Sequence, residues 1–498
     1  MKYLRLRTLL LALLTALPAY AHVGSKDVFE QVSAGPYKLF VTVRMPNVIP
    51  GIATIEVRAT GATGVGNPNI DSIRIAPMPL TGEASKHPPT PDNMKRSADD
   101  PAFYTGSLWL MAAGSWQVRF EVSGGAGNAT ASVPVAAMPL TVMRMQRPLG
   151  LVLGVLGVVL ALGFAGIIGA AVRESRLAPG VPPPANRRRR ALYATAGAFM
   201  FIAAAIFLGD HWWNVEAADY AAGVYHPLAM RAALSGNTLD LAIDDDVPAK
   251  NPQHKLLALG DLILDHGKIM HLYAIRWPEM DAVFHLHPAQ VSKDDLRKTL
   301  PAMPSGVYKL YADIVFRSGF PETLTATLTV PSGMSSAPLA FDDAEALPPP
   351  LSHGELGSAY PLPDGYSMVW DRPATLTANT ATVFRFRLLN ASGKPAEDAV
   401  PYLGMAGHAA FVKTDGTVFA HTHPEGSAAM PAMMLANGEG SESAGAMEDM
   451  PGMSASNEKI PPVVEFPYGF PSAGRYRIFI QMKHGGTVET GVFDADVQ

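Results

Sequence analysis

Two similar segments in the second half of the chain constrain its fold more than any other feature. The first starts at His271 and ends in a His-x-His-Pro motif at residues 285–288. The second starts at His408 and ends in the same motif at residues 421–424. Each motif follows its first histidine by 13 or 14 residues, which is enough for a strand, a turn and a second strand. Such a repeat predicts two copies of one structural unit.

We therefore predict a mainly β chain with three sandwich domains of the Ig-like or cupredoxin-like type. Residues 22–145 alternate apolar and polar side chains with a period of two between Gly and Pro, which indicates an N-terminal sandwich. The repeat predicts two further sandwiches in tandem, over residues 225–332 and 360–498. Residues 333–359 are rich in Ser, Ala, Pro and Gly, and this composition is typical of a linker.

Two apolar runs separate the N-terminal region from the repeat. Residues 149–172 and 191–208 contain no charged side chain and are long enough to cross a bilayer as transmembrane helices. The loop between them, residues 173–190, carries six Arg and one Glu. Because short basic loops stay in the cytoplasm, this pattern predicts a two-span protein of the cell (inner) membrane. Both β regions are then expected on the periplasmic, extracytoplasmic side.

The first residues, 1–21, are typical of a signal peptide. Lys2 opens a short basic region, an apolar core follows, and Ala19-Tyr20-Ala21 forms a cleavage site of small residues. Cleavage there makes His22 the first residue, and its α-amine and imidazole together form a chelate for Cu(II). The alternatives are an uncleaved anchor helix and a His22 that follows the cleavage site by chance.

Composition limits the chemistry. Lys and Arg number 39 against 44 Asp and Glu, and the formal net charge of −5 without a large basic tract argues against nucleic-acid binding. The chain contains no cysteine, which excludes disulfides, thiolate zinc sites, Fe–S clusters and cysteine-based copper centres. Metal binding would therefore depend on the 14 His and 23 Met.

The repeat predicts a metal site from each copy. Side chains at i and i+2 of a strand lie on one face, so the two histidines of each motif point the same way, and the hairpin brings the earlier histidine alongside. The resulting triads are His271, His285 and His287, and His408, His421 and His423. Three imidazoles suit Cu²⁺ or Zn²⁺. Alternatively, the histidines form hydrogen-bonded corners without metal. The two copies either hold separate sites or share one.

Methionines offer softer ligands. Met405 lies just before His408 and is either an axial thioether or a core residue. Six others fall within 24 residues of a Gly-, Ser- and Ala-rich insertion, residues 428–456: Met430, Met433, Met434, Met447, Met450 and Met453. Thioethers suit Cu(I), so this insertion is either a Cu(I) site or a disordered segment with incidental Met. His266 is a weaker candidate, and His484 is expected on the surface.

Several segments resemble known families. Gly35-Pro36-Tyr37, Val43-Arg44-Met45-Pro46 and Gly114-Ser115-Trp116-Gln117-Val118 resemble the exported YtkA-like/FixH-like domains. The His-x-His-Pro modules resemble exported bacterial proteins that are associated with metal handling by analogy. The order of domains is similar to that in the copper-bearing subunit of particulate methane monooxygenase, whose N-terminal His joins a His-x-His pair. Here the pairs follow the membrane helices, so this similarity implies topology only.

These features predict a membrane-anchored, extracytoplasmic metal-binding protein for copper handling or delivery, with zinc as the alternative metal. The expected partners are the metal ion, the membrane and a protein that receives copper or joins a complex. A metal-independent Ig-like interaction module is the alternative function. The sequence lacks a nucleophile elbow, a phosphate loop and a dinucleotide fingerprint, so organic catalysis is not predicted. A metal-dependent oxidase is the third alternative.

Overall fold

The computed structural model describes residues 26–61, 69–178, 180–244, 247, 251–255, 257, 259–438 and 458–498. The predicted signal peptide and His22 lie outside the described residues, as do Met447, Met450 and Met453. The chain forms two compact units, of which one contains the chain up to Met138 together with His226–Gln498 and the other is Pro139–Tyr225. The prediction of a mainly β chain with several sheets is confirmed.

The N-terminal domain consists of two antiparallel sheets around one core. Its strands are β1 (Val28–Ala34), β2 (Tyr37–Arg44), β3 (Gly51–Gly61), β4 (Ile70–Pro79), β5 (Asp92–Asn93), β6 (Lys95–Arg96), β7 (Phe103–Leu110), β8 (Gly114–Gly124) and β9 (Gly127–Ala137). The strand orders are β1-β2-β3-β7-β6 and β5-β4-β8-β9. Ile55 and Val57 of β3 share a core with Phe120 of β8, so the two sheets pack face to face.

The unit Pro139–Tyr225 contains two helices, α1 (Arg147–Glu174) and α2 (Ala185–Ala222), both long and apolar enough to cross a membrane. Both extend beyond the predicted spans. Helix α2 begins directly after Pro184, so it includes the four Arg that we assigned to the loop. The helices approach closely at Gly169, where an added Cβ would lie 2.3 Å from Thr195 Oγ1. Such contacts through small residues are typical of paired membrane helices.

Repeat 1 follows α2 and again contains two sheets. Its strands are β10 (Ala229–Ser235), β11 (Thr238–Asp244), β12 (Leu262–Ile263), β13 (His271–Arg276), β14 (Val283–Leu286), β15 (Ala289–Gln290), β16 (Asp295–Thr299), β17 (Gly306–Phe316), β18 (Pro321–Val330) and β19 (Ala344–Ala346). The orders are β10-β11-β16-β15 and β12-β17-β13-β14-β19, with β18 on β17. Strand β19 lies inside the segment that we interpreted as a linker. It pairs with β14 because the edge of β14 offers free backbone hydrogen-bonding groups.

Repeat 2 has the same plan. Its elements are β20 (Ala359–Pro361), β21 (Ser367–Trp370), β22 (Thr382–Leu389), β23 (Ala399–Val400), β24 (His408–Lys413), β25 (Phe419–Thr422), α3 (Met430–Ala436), β26 (Val463–Tyr468), β27 (Gly474–His484) and β28 (Thr487–Val497). The sheet orders are β20-β21-β22-β26 and β23-β27-β24-β25, with β28 on β27. Trp370 and Phe386 of the first sheet pack with Ile478 and Phe493 of the second.

The two repeats contact each other through the sheets that carry the histidines. Tyr273 and Ile275 of repeat 1 form one buried cluster with Val412, Phe419 and Phe479 of repeat 2. Because side chains alternate along a strand, the histidines two positions from Tyr273 and Phe419 face this same contact. The apolar contact between the sheets therefore brings the two histidine motifs together.

The N-terminal domain packs against repeat 2. The N–H of Gln31 in β1 donates to the carbonyl oxygen of Glu425 at 2.6 Å, and the N–H of Ser427 donates to that of Phe29 at 3.0 Å. The ring of Phe29 belongs to the core of repeat 2 and passes so close to Gly469 that an added Cβ there would lie 2.6 Å from it. The loop after the second His-x-His-Pro motif is therefore held by the N-terminal domain.

Candidate metal centre

Seven histidines form a buried cluster between the two repeats. Six are the residues predicted from the sequence, and the seventh is His266. In every case the histidine side chain or the whole residue is at most 5% exposed; the members are His266, His271, His285, His287, His408, His421 and His423. Burial of an imidazole costs free energy unless its ring nitrogens have partners. The arrangement of the ring nitrogens therefore indicates the role of the cluster.

His271, His285 and His287 of repeat 1 form the first triad. One ring nitrogen of each lies within 4.8 Å of those of the other two. His271 Nδ1 and His285 Nε2 are 3.1 Å apart. Strands β13 and β14 position them, since Tyr273 pairs with His285 in the register of this hairpin. The geometry is the one that the repeat predicted for this copy.

The second triad combines the two repeats. His408 and His423 of repeat 2 meet His266 of repeat 1, and one ring nitrogen of each lies within 4.8 Å of the others. The ring centroids are 4.7 Å apart for His266 and His423 and 5.2 Å for His408 and His423. His421, which we grouped with His408 and His423, is instead turned toward Asp313 of repeat 1, whose Oδ2 lies 3.2 Å from Nδ1.

His421 lies between the triads. Its ring centroid is 5.2 Å from that of His271 in one triad and 4.8 Å from that of His423 in the other. Its Nε2 makes no hydrogen bond within the described part of the chain. The seven rings therefore form one continuous cluster, in which the two triads are adjacent rather than separated.

In the first triad, each ring has one nitrogen engaged by a neighbouring group. His271 Nε2 lies 3.0 Å from the carbonyl oxygen of Asp265, and His285 Nδ1 lies 2.7 Å from Gln481 Oε1. His287 Nδ1 lies 3.1 Å from Asp343 Oδ1. Because carbonyl and carboxylate oxygens only accept, these contacts favour protons on the named nitrogens and lone pairs on the opposite ones. Partners that fix the ring in this way are typical of histidine ligands to metals.

Two of the three rings in the second triad follow the same pattern. His423 Nδ1 lies 3.4 Å from the carbonyl oxygen of Ala428, and the Leu403 backbone accepts a hydrogen bond from His266. Neither nitrogen of His408 has a partner in the described residues. The buried nitrogens without a hydrogen bond there are His266 Nε2, His287 Nε2, His408 Nδ1 and Nε2, His421 Nε2 and His423 Nε2. A buried polar atom left in this state costs about 1–3 kcal/mol.

The pKa values show that the cluster favours neutral imidazoles. Burial, followed by the neighbouring histidines, lowers the pKa of His266 to about 3 and that of His271 to about 4. Burial alone lowers the pKa of His421 to about 3. The same two causes hold the pKa values of the other four well below the ordinary value of 6.5. His271 and His285 therefore each carry one ring proton and not two.

Sequence reasoning missed the position of His266. It lies at the second residue of a tight turn, in which Asp265 and Lys268 pair, and its φ is 51°. In repeat 2 the corresponding turn pairs Tyr402 with Met405 and contains Leu403, also with φ 51°. Both turn residues precede the first histidine of their repeat by five positions. That spacing, compared between the copies, was the available signal.

Four of the methionines predicted as ligands lie within the described residues. Met405 is half-buried and closes the Tyr402 turn. Met430 begins α3, and its N–H donates to Asp265 Oδ1 at 3.2 Å. Met433 packs against the core of the N-terminal domain, which gives it a packing function, and Met434 is half-buried.

A cavity of about 150 Å³ adjoins the cluster. It lies between the N-terminal domain and the two repeats, and its lining includes His421, His423 and the carboxylates of Asp27, Asp265 and Asp313. Acidic walls attract cations. The cavity therefore places an acidic wall beside His421 and His423.

Comparisons with known proteins add little to this geometry. Residues 361–498 match a family described as a domain of unknown function (DUF8832). No curated protein matches the chain.

Among solved structures, the chain is similar to Salmonella α2-macroglobulin reacted with methylamine, with 8% identity and a TM-score of 0.20 over 97% of this chain and 24% of that one. It is also similar to dimeric latent PorU from Porphyromonas gingivalis, with 8% identity and a TM-score of 0.15 over 95% and 34%. The chain thus spans a quarter to a third of the length of these two. TM-scores this low carry no argument about fold or function.

Proposed function

We propose that this protein is a membrane-anchored metal-binding protein that holds two transition-metal ions between its repeats. One observation carries the proposal. His271 Nδ1 and His285 Nε2 lie 3.1 Å apart, and the opposite nitrogen of each ring lies beside an oxygen, so protons on those opposite nitrogens would direct both lone pairs to one place. A metal ion there would be bound by both lone pairs, and the low pKa of both rings favours the neutral imidazoles that metal binding requires.

The donor set supports copper as the metal, with zinc as the alternative. Both triads consist of imidazole nitrogens, which suit Cu²⁺ and Zn²⁺, and a given nitrogen site binds Cu²⁺ more tightly than Zn²⁺. His421, between the triads, is available to either ion. The proposed activity is copper handling or delivery, and a protein partner that receives the metal belongs to the same proposal.

The sequence supports the location. The basic loop between two helices that can span a membrane favours both β regions outside the cytoplasm, on the periplasmic side of the inner membrane. We further propose that the three two-sheet domains are Ig-like or cupredoxin-like sandwiches. A domain of this kind needs no cysteine to stabilise its core. Histidines then supply every ligand of the two triads.

The test is metal analysis of the full chain purified in detergent. We expect the wild type to bind two more equivalents of Cu²⁺ than a double variant, His271→Ala with His408→Ala. The double variant lacks one ligand of each triad. The matched control replaces the exposed His87 and His353, and it should retain the wild-type metal content. Equal metal content in the wild type and the double variant would overturn the proposal and favour the metal-independent interaction module.

A further inference from the structure

A second group of possible ligands lies at the other end of repeat 2. His484 ends β27, Glu489 lies on the neighbouring strand β28, and Asp364 occupies the turn between β20 and β21. One ligand atom of each lies within 4.8 Å of the others. His484 Nε2 lies 2.9 Å from Asp364 Oδ2 and 4.0 Å from Glu489 Oε1.

This group is separate from the seven-histidine cluster. Gln481 on β27 faces the cluster, because its Oε1 contacts His285. His484 is three positions further along the same strand, and side chains alternate, so it points to the opposite face of the sheet. There it lies on the same side as Met482, which belongs to the core of repeat 2. The two groups share a sheet but not a face.

His484 has the features of a ligand. We expected it on the surface, but it is 6% exposed, because the ring of Tyr366 stacks on it with centroids 3.9 Å apart and planes at 11°. Its Nε2 is buried and makes no hydrogen bond in the described part of the chain. Asp364 Oδ2 is near this nitrogen but lies out of line for a hydrogen bond. Its Nδ1 lies 3.4 Å from Asp398 Oδ2.

The charges around His484 are unbalanced. Asp364, Asp398 and Glu489 surround one imidazole, and Glu489 is itself 6% exposed. Tyr366 donates its N–H to Asp364 and its O–H to Asp398. Within the described residues, the only ion-pair partner of these three carboxylates is His484. Asp364 and Asp398 reach solvent, whereas Glu489 is a buried carboxylate of the kind that is normally paired with a cation or coordinates a metal.

We infer that Asp364, His484 and Glu489 bind a divalent cation, with Asp398 orienting the imidazole from behind. A carboxylate on the far nitrogen of a histidine ligand is a recurrent arrangement at metal sites. One nitrogen and two carboxylates suit Zn²⁺ or Mn²⁺, and this mixed set differs from the all-imidazole triads. The site is independent of the proposed function and makes the loop Pro363–Gly365 and the β27–β28 hairpin a single metal-linked unit.

The experiment uses the full chain in the background of His271→Ala with His408→Ala, so that copper binding by the cluster does not interfere. Zn²⁺ and Mn²⁺ are titrated separately by calorimetry, and bound Mn²⁺ is followed by electron paramagnetic resonance. We expect one equivalent of at least one of the two ions, and a loss of at least tenfold in affinity for Glu489→Gln and for His484→Gln. Asp496→Asn is the matched control on the same strand, because Asp496 is exposed.

Glu489→Gln keeps the shape of the side chain, so it serves if His484→Gln fails to fold. A background protein that binds neither ion, or a Glu489→Gln variant that binds as tightly as its parent, would overturn the inference. Failure of the histidine cluster to bind copper would leave this result unchanged, because the experiment does not depend on the triads.

Discussion

Repeats 1 and 2 place the same residues on the same strands, yet they build unlike halves of the cluster. Each has a tight turn, a first histidine opposite the long central strand and a His-x-His-Pro motif. The central strand presents Asp313 opposite His271 in repeat 1 and Gln481 opposite His408 in repeat 2. The turn presents His266 in one copy and Leu403 in the other.

The difference shows how two copies of one unit build two unlike histidine triads. Repeat 1 supplies a complete triad by itself and also lends His266 to its neighbour. Repeat 2 supplies two ligands and depends on repeat 1 for the third. The carboxylate of Asp313 and the amide of Gln481 are exchanged in the same way, since each engages a histidine of the opposite repeat. The two triads are therefore expected to differ in affinity.

The largest effect is expected from His408→Leu, which breaks the second triad and leaves the first. One of the two bound metal ions should be lost. The metal-free variant should nevertheless be more stable than the metal-free wild type by about 1–3 kcal/mol, because both His408 nitrogens are buried without a hydrogen bond. Metal analysis and thermal melting in chelator measure the two effects. A purely structural histidine would give the reverse: unchanged metal content and a less stable protein.

Exchanging the turn residues tests the asymmetry directly. His266→Leu makes repeat 1 resemble repeat 2 and removes one of three ligands. Loss of an orienting partner alone lowers metal affinity roughly 10–100-fold. Metal affinity at the second triad should therefore fall by more than this. Competition with a chelator of known affinity measures this change. Leu403→His is the counterpart, and its φ of 51° is one that histidine accepts more readily than leucine. Weaker metal binding in both variants would contradict the asymmetry between the two turns.

Orienting partners should matter less than ligands. Asp343→Asn weakens the hold on His287 Nδ1, and affinity at the first triad should fall about 10–100-fold while the second triad is unaffected. Asp342→Asn is the matched control, because Asp342 is the neighbouring residue and pairs with Lys268 instead. Equal losses in both variants would show that the effect is one of local charge and not of ring orientation.

A last effect, on stability and not on metal binding, concerns Glu30, whose carboxyl accepts a hydrogen bond from the Ala428 N–H of repeat 2. Burial raises the pKa of this carboxyl from 4.5 to about 8. The folded chain therefore keeps a proton that the unfolded chain releases, and the free energy of unfolding should fall as the pH rises from 4.5 to 8. Glu30→Gln should remove this fall, which is on the order of a few kcal/mol. Melting temperatures at pH 5 and pH 8.5 test it, with the exposed Glu83→Gln as control.

The sequence predicts the β class and the two helices well because both depend on local patterns. The same holds for the convergence of His271, His285 and His287, which needs only one hairpin. It does not predict that the repeats meet face to face, because that follows from apolar contacts such as Tyr273 with Phe419 that are distant in sequence. His421 turning toward Asp313, and Asp343 reaching His287 from the segment we took for a linker, have the same cause.

The pairing of β1 with the loop after the second motif has a consequence for the order of assembly. The N–H of Phe29 meets the hydroxyl of Ser427, 398 residues later in the chain. At a synthesis rate of about 5–20 residues per second, β1 waits roughly 20–80 s for this partner. The loop that carries His423 therefore reaches its final position only when almost the whole chain exists. The second triad is therefore completed late in synthesis, and a chain truncated before His423 lacks one of its three histidines.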